Sequence, residues 1–311
     1  MSGRADDRDA AAAREELYAL LGTLPKRDLP ISAELLARED RGDHVLETLR
    51  LHLNGIETVP AYFVKPSHAR DPLPAILYNH SHGNAYHVGK RELLDGQSYL
   101  ASPAWVASIV SRGWAGLAID HWCFGERAGR TELDTFKAML WQGYVLWGMM
   151  VFDSLRALDY LESRDDVDSS RLATVGMSMG STMAWWLAAL DTRVRVTVDI
   201  CCLTDFETLL EEGRLDAHGI YYYVPGLLKR FSTARINALI APRPHLAIAG
   251  TRDVLTPLTG LDRIEREVSA VYAGRGSPEN FRLSRYDTGH VELREGREEA
   301  LAFLEEHLEG G

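Results

Sequence analysis

Two hydrophobic patterns divide the chain. From about residue 75 onward, short strand-like runs, continuously apolar in the inner strands, take turns with longer stretches of helical period. Residues 75–79, 114–120, 171–176, 194–201, 245–250 and 281–286 are strand-like. Residues 103–111, 133–163, 178–190, 257–273 and 294–308 carry the helical pattern. A strand wet on one face alternates apolar with polar positions, whereas a strand buried on both faces is apolar throughout. The pattern therefore predicts an α/β fold with a mostly parallel sheet covered by helices on both faces. Upstream, 44–53 and 57–65 flank Asn54-Gly55, a strong hairpin signal, and are expected to form antiparallel edge strands. Residues 9–22 place Leu17, Leu20 and Leu21 on one side of a helix, so 1–40 is expected to be an N-terminal helical extension. The irregular stretch 203–240, with Tyr221-Tyr222-Tyr223, Pro225 and Phe231, is expected to form a small cap over the sheet's C-terminal edge. No linker interrupts the pattern, so residues 1–311 are expected to form a single domain.

Charge and cysteine usage narrow the function classes. The net charge of −11 opposes nucleic-acid phosphates and anionic lipid surfaces as partners. Cys123, Cys201 and Cys202 make neither a disulfide framework nor a zinc knuckle. Residues 1–14 are charged and Ala-rich without an apolar core, which predicts no signal peptide and a cytoplasmic location. The apolar stretch 138–152 is too short to span a bilayer. The N-terminal helix is free either to cover the sheet edge or to pack against a second copy of the chain.

The chemistry gathers downstream. Gly176-Met177-Ser178-Met179-Gly180 is a G-x-S-x-G motif fed by the strand-like Leu172-Ala173-Thr174-Val175 and followed by a helix. A sharp strand-to-helix turn needs small residues at both ends, and it lifts the serine hydroxyl to a helix N-terminus. Ser178 is thus the candidate nucleophile. A serine needs a base, and the order Ser, Asp or Glu, His picks out His290, in the loop after the last strand. His218 is the runner-up. Asp253, in the turn after strand 245–250, is the candidate acid that orients the imidazole, with Asp205 and Asp287 as alternatives. Donors for the developing oxyanion are expected from the N–H of Met179 and from the loop His80-Ser81-His82-Gly83-Asn84, Asn84 before Gly83. The His80-x-His82 pair with His87 raises a metal reading, but the Asp-His pair that should follow is absent, and no metal or other cofactor is expected. His82, Trp147, Tyr221 and Tyr222 are candidate pocket residues.

These motifs, with Tyr78-Asn79 before the His-Gly loop, Ala241-Pro242-Arg243-Pro244 and Thr288-Gly289-His290, resemble the dienelactone hydrolase and acetyl xylan esterase (cephalosporin C deacetylase) branch of the α/β-hydrolases over roughly residues 45–308. The resemblance implies cofactor-free hydrolysis of carboxylic esters through an acyl-enzyme. It assigns Ser178, Asp253 and His290 to the triad, and Asn84 and Met179 to the oxyanion. Dienelactone hydrolases use a cysteine nucleophile, so Ser178 argues against lactones. The expected activity is a serine esterase acting on small esters. Two alternatives share the fold: an amidase or peptidase of the prolyl oligopeptidase type, and acyl transfer or cyclisation in a biosynthetic pathway.

Overall fold

The computed structural model describes residues 2–309, with side chains from residue 8 onward. Among the described residues nine strands form one sheet: β1 (Ser32–Asp40), β2 (His44–His52), β3 (Val59–Pro66), β4 (Leu73–Asn79), β5 (Ala115–Ile119), β6 (Val167–Met177), β7 (Val194–Ile200), β8 (His245–Gly250) and β9 (Phe281–Tyr286). Their order is β1-β2-β3-β5-β4-β6-β7-β8-β9. The first three strands and the β3–β5 pair are antiparallel, and the rest of the sheet is parallel. The helices are α1 (Ser2–Ala19), α2 (Glu92–Asp95), α3 (Trp105–Val110), α4 (Glu132–Trp141), α5 (Leu146–Glu162), α6 (Met179–Leu190), α7 (Phe206–Glu211), α8 (Thr233–Ala238), α9 (Leu258–Gly274) and α10 (Arg294–Glu309).

The apolar runs are explained by burial on both faces. In β4, Ala75 and Leu77 pack into one core while Ile76 and Tyr78 pack into the other. In β8, Ala247 and Ala249 face the first core, Leu246 and Ile248 the second. The first core also holds apolar side chains of α1, α5, α6 and α9; the second holds those of α3 and α10. No described helix is long and apolar enough to cross a membrane.

Three expectations need correction. Residues 1–40 are not wholly helical: after α1 the chain forms β1, paired antiparallel with β2 at the sheet edge. All nine β1 residues are exposed, so no buried face imposes an alternation that a reader of the sequence could detect. The stretch 133–163 is two helices, because Gly143 (φ +81°) turns the chain between α4 and α5. Asn54-Gly55 does join two antiparallel strands, but the connection is six residues (53–58) rather than the three left between runs 44–53 and 57–65. Asn54 Oδ1 accepts from the N–H groups of Ile56 (2.8 Å) and Glu57 (3.0 Å), and Nδ2 donates to the buried Asp153 (2.7 Å).

Arg243 in the Ala-Pro-Arg-Pro run has a structural task. Its guanidinium donates to the carbonyls of Asp191 (3.0 Å), Val194 (2.6 Å), Ala188 and Leu239 (3.4 Å). It therefore caps the C-terminal ends of α6 and α8 beside the start of β7, supplying donors to carbonyls that have no helical partner. Burial lowers its pKa to about 10. α1 lies over the same region, where Arg14 donates to Ala189 O (3.1 Å) and Leu239 O (2.9 Å).

Candidate active site

The sheet order reverses around β4: the chain passes from β4 to β5 on one side and to β6 on the other. Loops leaving the C-terminal ends of β4 and β6 diverge there and leave a crevice, the usual ligand position in open parallel sheets. Ser178 sits at the end of β6 with φ +59° and ψ −118°, a conformation strained for a side chain other than glycine. Its N–H is held by Ile200 O (2.9 Å), and α6 starts at the next residue. A Cβ on Gly176 would lie 2.4 Å from backbone atoms of Gly180, and one on Gly180 would lie 2.0 Å from Asn79 O. Glycine is required at both positions because β4, β6 and α6 touch there backbone to backbone.

The acid and base loops are also joined closely. A Cβ on Gly250 would lie 2.4 Å from Gly289 O and 2.6 Å from Thr288 O. Thr251 N–H donates to Tyr286 O and Arg252 N–H to Thr288 O, both at 2.8 Å. The turn after β8 is thereby locked to the turn after β9. Asp253, with a side chain fully shielded from solvent, accepts at Oδ1 from Leu255 N–H (2.9 Å). Its Oδ2 lies 2.7 Å from Nδ1 of His290, and His290 Nε2 lies 2.9 Å from Ser178 Oγ. The Nδ1–H tautomer, donating to the carboxylate, leaves Nε2 free to accept the hydroxyl proton.

The other sequence candidates lie elsewhere or are otherwise engaged. Asp205 caps α7 through Thr208 N–H (3.1 Å) and pairs with Arg263 (3.0 Å). Asp287 is exposed and pairs with Arg252 (2.9 Å). His218 lines the cavity next to Ser178, where it is hydrogen-bonded to Leu255 O (2.9 Å). Met179 opens α6, so its N–H has no intrahelical acceptor. Gly83 (φ +49°) and Asn84 (φ +55°) turn the loop after β4 along the cavity wall, and the Asn84 N–H donates to Nδ1 of His82 (3.1 Å). Beneath this loop Glu92 accepts from Tyr78 (2.9 Å), from Ser81 N–H (2.9 Å) and from the Ser81 hydroxyl. Burial raises the Glu92 pKa. His80 is fully buried, accepts His121 N–H at Nε2 (3.2 Å) and faces Ser81 O at Nδ1 (2.9 Å). Burial lowers its pKa to about 4.

The cavity at Ser178 and His290 measures about 320 Å³. His82 and Tyr221 form part of its wall, their rings stacked at 5.4 Å. Two expected pocket residues do not reach it. Trp147 is fully buried behind Tyr221 (5.6 Å between centroids), and Tyr222 lines a separate groove with Phe206 and Tyr223. The stretch 203–240 contributes Asp216, His218 and Tyr221 to the wall. The wall also contains Glu132, which sequence reasoning missed: its Oε1 lies 3.1 Å from Nε2 of His82 across 50 residues of chain. Its only sequence signal was the position after Thr131, the N-cap of α4.

Comparison with known proteins agrees with this architecture. The model of the acetyl xylan esterase (AXE1) family matches residues 25–238, a stretch that includes Ser178 but ends before Asp253. Hydrolase YtaP of Bacillus subtilis (strain 168) is 51% identical over 298 residues, covering 96% of this chain and 99% of that protein. Among solved structures, the acetyl xylan esterase from Paenibacillus sp. R4 superposes with a TM-score of 0.64 at 20% identity, covering 97% of this chain and 93% of the other. The glucuronoyl esterase from Solibacter usitatus gives a TM-score of 0.70 at 18% identity, with 94% and 91% covered. At those identities the structural likeness bears on the fold.

Proposed function

Because the chain belongs to the acetyl xylan esterase family and is a serine carboxylic ester hydrolase, we propose that Ser178 is its nucleophile, His290 its general base and Asp253 the carboxylate that orients and stabilises the imidazole. The observation that carries this reading is the unbroken run Asp253 Oδ2–His290–Ser178 Oγ, at 2.7 and 2.9 Å. Ser178 Oγ attacks the ester carbonyl as its proton passes to His290 Nε2. Asp253, shielded from solvent, stabilises the imidazolium. The N–H of Met179 receives the oxyanion on one side, and the Gly83–Asn84 backbone receives it on the other. The Asn84 N–H serves the oxyanion by giving up its bond to His82 Nδ1. Collapse of the tetrahedral intermediate breaks the bond to the alcohol oxygen, which takes the proton from His290. Water, deprotonated by His290, then releases the acid from Ser178.

The cavity of about 320 Å³ is at the small end of ligand sites and favours short acyl groups such as acetyl. Cys123, Cys201 and Cys202 are buried free thiols, which supports a reducing, cytoplasmic setting as part of this reading. The test is hydrolysis of a 4-nitrophenyl ester series from acetate to decanoate. Short esters should turn over fastest in the wild type, and Ser178→Ala should lose that turnover by several orders of magnitude. Equal activity in the variant would remove Ser178 from the mechanism.

A further inference from the structure

Building on the esterase reading above, we infer that this cavity selects its esters by charge: its wall is anionic, favouring cationic or neutral hydrogen-bond-donating substrate groups and excluding those that carry a carboxylate. Among the described residues two carboxylates, Glu132 and Asp216, line it, and neither lysine nor arginine does. Glu132 is the stronger determinant because its side chain is only 6% exposed, so solvent screens it little. Its Oε1 accepts from His82; Oε2 has no protein donor among the described residues, which leaves it available to a substrate O–H or N–H. Before substrate enters, His82 Nδ1 accepts the Asn84 N–H while Nε2 faces Glu132 Oε1.

Four further titratable groups at the wall add no positive charge at neutral pH. Burial lowers the His218 pKa, and burial raises those of Cys202, Tyr86 and Tyr221, leaving all four neutral. Behind His290 stands a third carboxylate, Asp253. A negatively charged substrate group entering this space meets carboxylates and, among the described residues, no lysine or arginine. At short range in a partly desolvated site such repulsion is worth roughly a factor of ten or more.

Three acetate esters of similar size test this: acetylcholine, its uncharged isostere 3,3-dimethylbutyl acetate, and 4-acetoxybutanoate. In the wild type kcat/KM should fall from cation to neutral ester to anion, by about tenfold or more overall, and the spread should narrow as salt is raised. Glu132→Gln should reduce the cation-to-anion ratio several-fold; Asp216→Asn, at the exposed rim, should reduce it less. A ratio near one in a wild type that cleaves the neutral ester overturns the charge preference, and a ratio unmoved in Glu132→Gln overturns its assignment to this wall; both leave the esterase reading intact. A wild type that cleaves none of the three, nor 4-nitrophenyl acetate, overturns the esterase reading and the preference with it.

Discussion

Gly180→Ala adds one methyl group and should damage both stability and catalysis. The new Cβ would lie 2.0 Å from Asn79 O, 2.7 Å from Asn79 C and 3.0 Å from His80 O. A carbon–oxygen contact normally needs roughly 3.3 Å, so the overlap is about 1.3 Å. All three atoms belong to the backbone of the β4 end, which cannot rotate away like a side chain. The start of α6 must therefore separate from β4 by about 1 Å. Overpacking of this kind costs roughly 1–3 kcal/mol, and rigid neighbours on both sides place it near about 3 kcal/mol. At about 2 °C per kcal/mol for a chain of this size, Tm should fall by about 6 °C. Ser178 moves with α6, so its 2.9 Å contact with His290 opens. A misplacement near 1 Å costs on the order of a hundredfold in rate. Differential scanning calorimetry and kcat/KM for 4-nitrophenyl acetate, measured well below the variant's Tm, read the two effects separately. Wild-type Tm and wild-type kcat/KM in Gly180→Ala would refute the argument that glycine is there to permit backbone contact.

Three further outcomes are expected. Asp253→Asn keeps the shape but loses the charge that stabilises the imidazolium, so kcat should drop by roughly 10³–10⁴ in steady-state assays; a drop below tenfold would point to another acid. Arg243→Ala strands carbonyls at the ends of α6 and α8 and should lower unfolding free energy by about 2–4 kcal/mol in urea titrations, with kcat of the folded enzyme within threefold of wild type. His80 is held neutral by burial, with its pKa lowered to about 4 from 6.5. Between those values the unfolded chain binds the proton and the folded one does not. Stability is therefore intact above about pH 6.5 and falls as pH drops toward 4, by up to about 3 kcal/mol from this group; the buried His121 acts with the same sign. Urea midpoints at pH 7 and 4.5 should differ less in His80→Gln than in the wild type.

The parallel half of the sheet could be read from the chain because burial on both faces writes a continuous apolar run. β8, buried at every position, begins and ends where its run does; the edge strand β9 shows instead an alternation, Phe281-Arg282-Leu283-Ser284-Arg285-Tyr286. β1 could not be read: Ser-Ala-Glu-Leu-Leu-Ala-Arg-Glu-Asp is exposed throughout and rich in helix formers, and its strand conformation comes from pairing with β2. The break between α4 and α5 was masked because apolar residues continue on both sides of Gly143. Ser178, Asp253 and His290 were legible because each follows a strand at the same sheet edge, and that placement constrains where their side chains can go. The cavity wall was not. Trp147 has the composition of a pocket residue but lies a layer behind it, and the Glu132–His82 contact joins positions whose proximity depends on how α4 packs against the loop after β4.

Covalent labelling tests the central claim most directly. Wild type, Ser178→Ala and His290→Ala are treated with a fluorophosphonate, a trap for activated serine, and mapped by peptide mass spectrometry. The account expects one adduct per wild-type chain, on Ser178, none in Ser178→Ala, and labelling slowed by orders of magnitude in His290→Ala. An adduct on another residue, or undiminished labelling of Ser178 without His290, would contradict it.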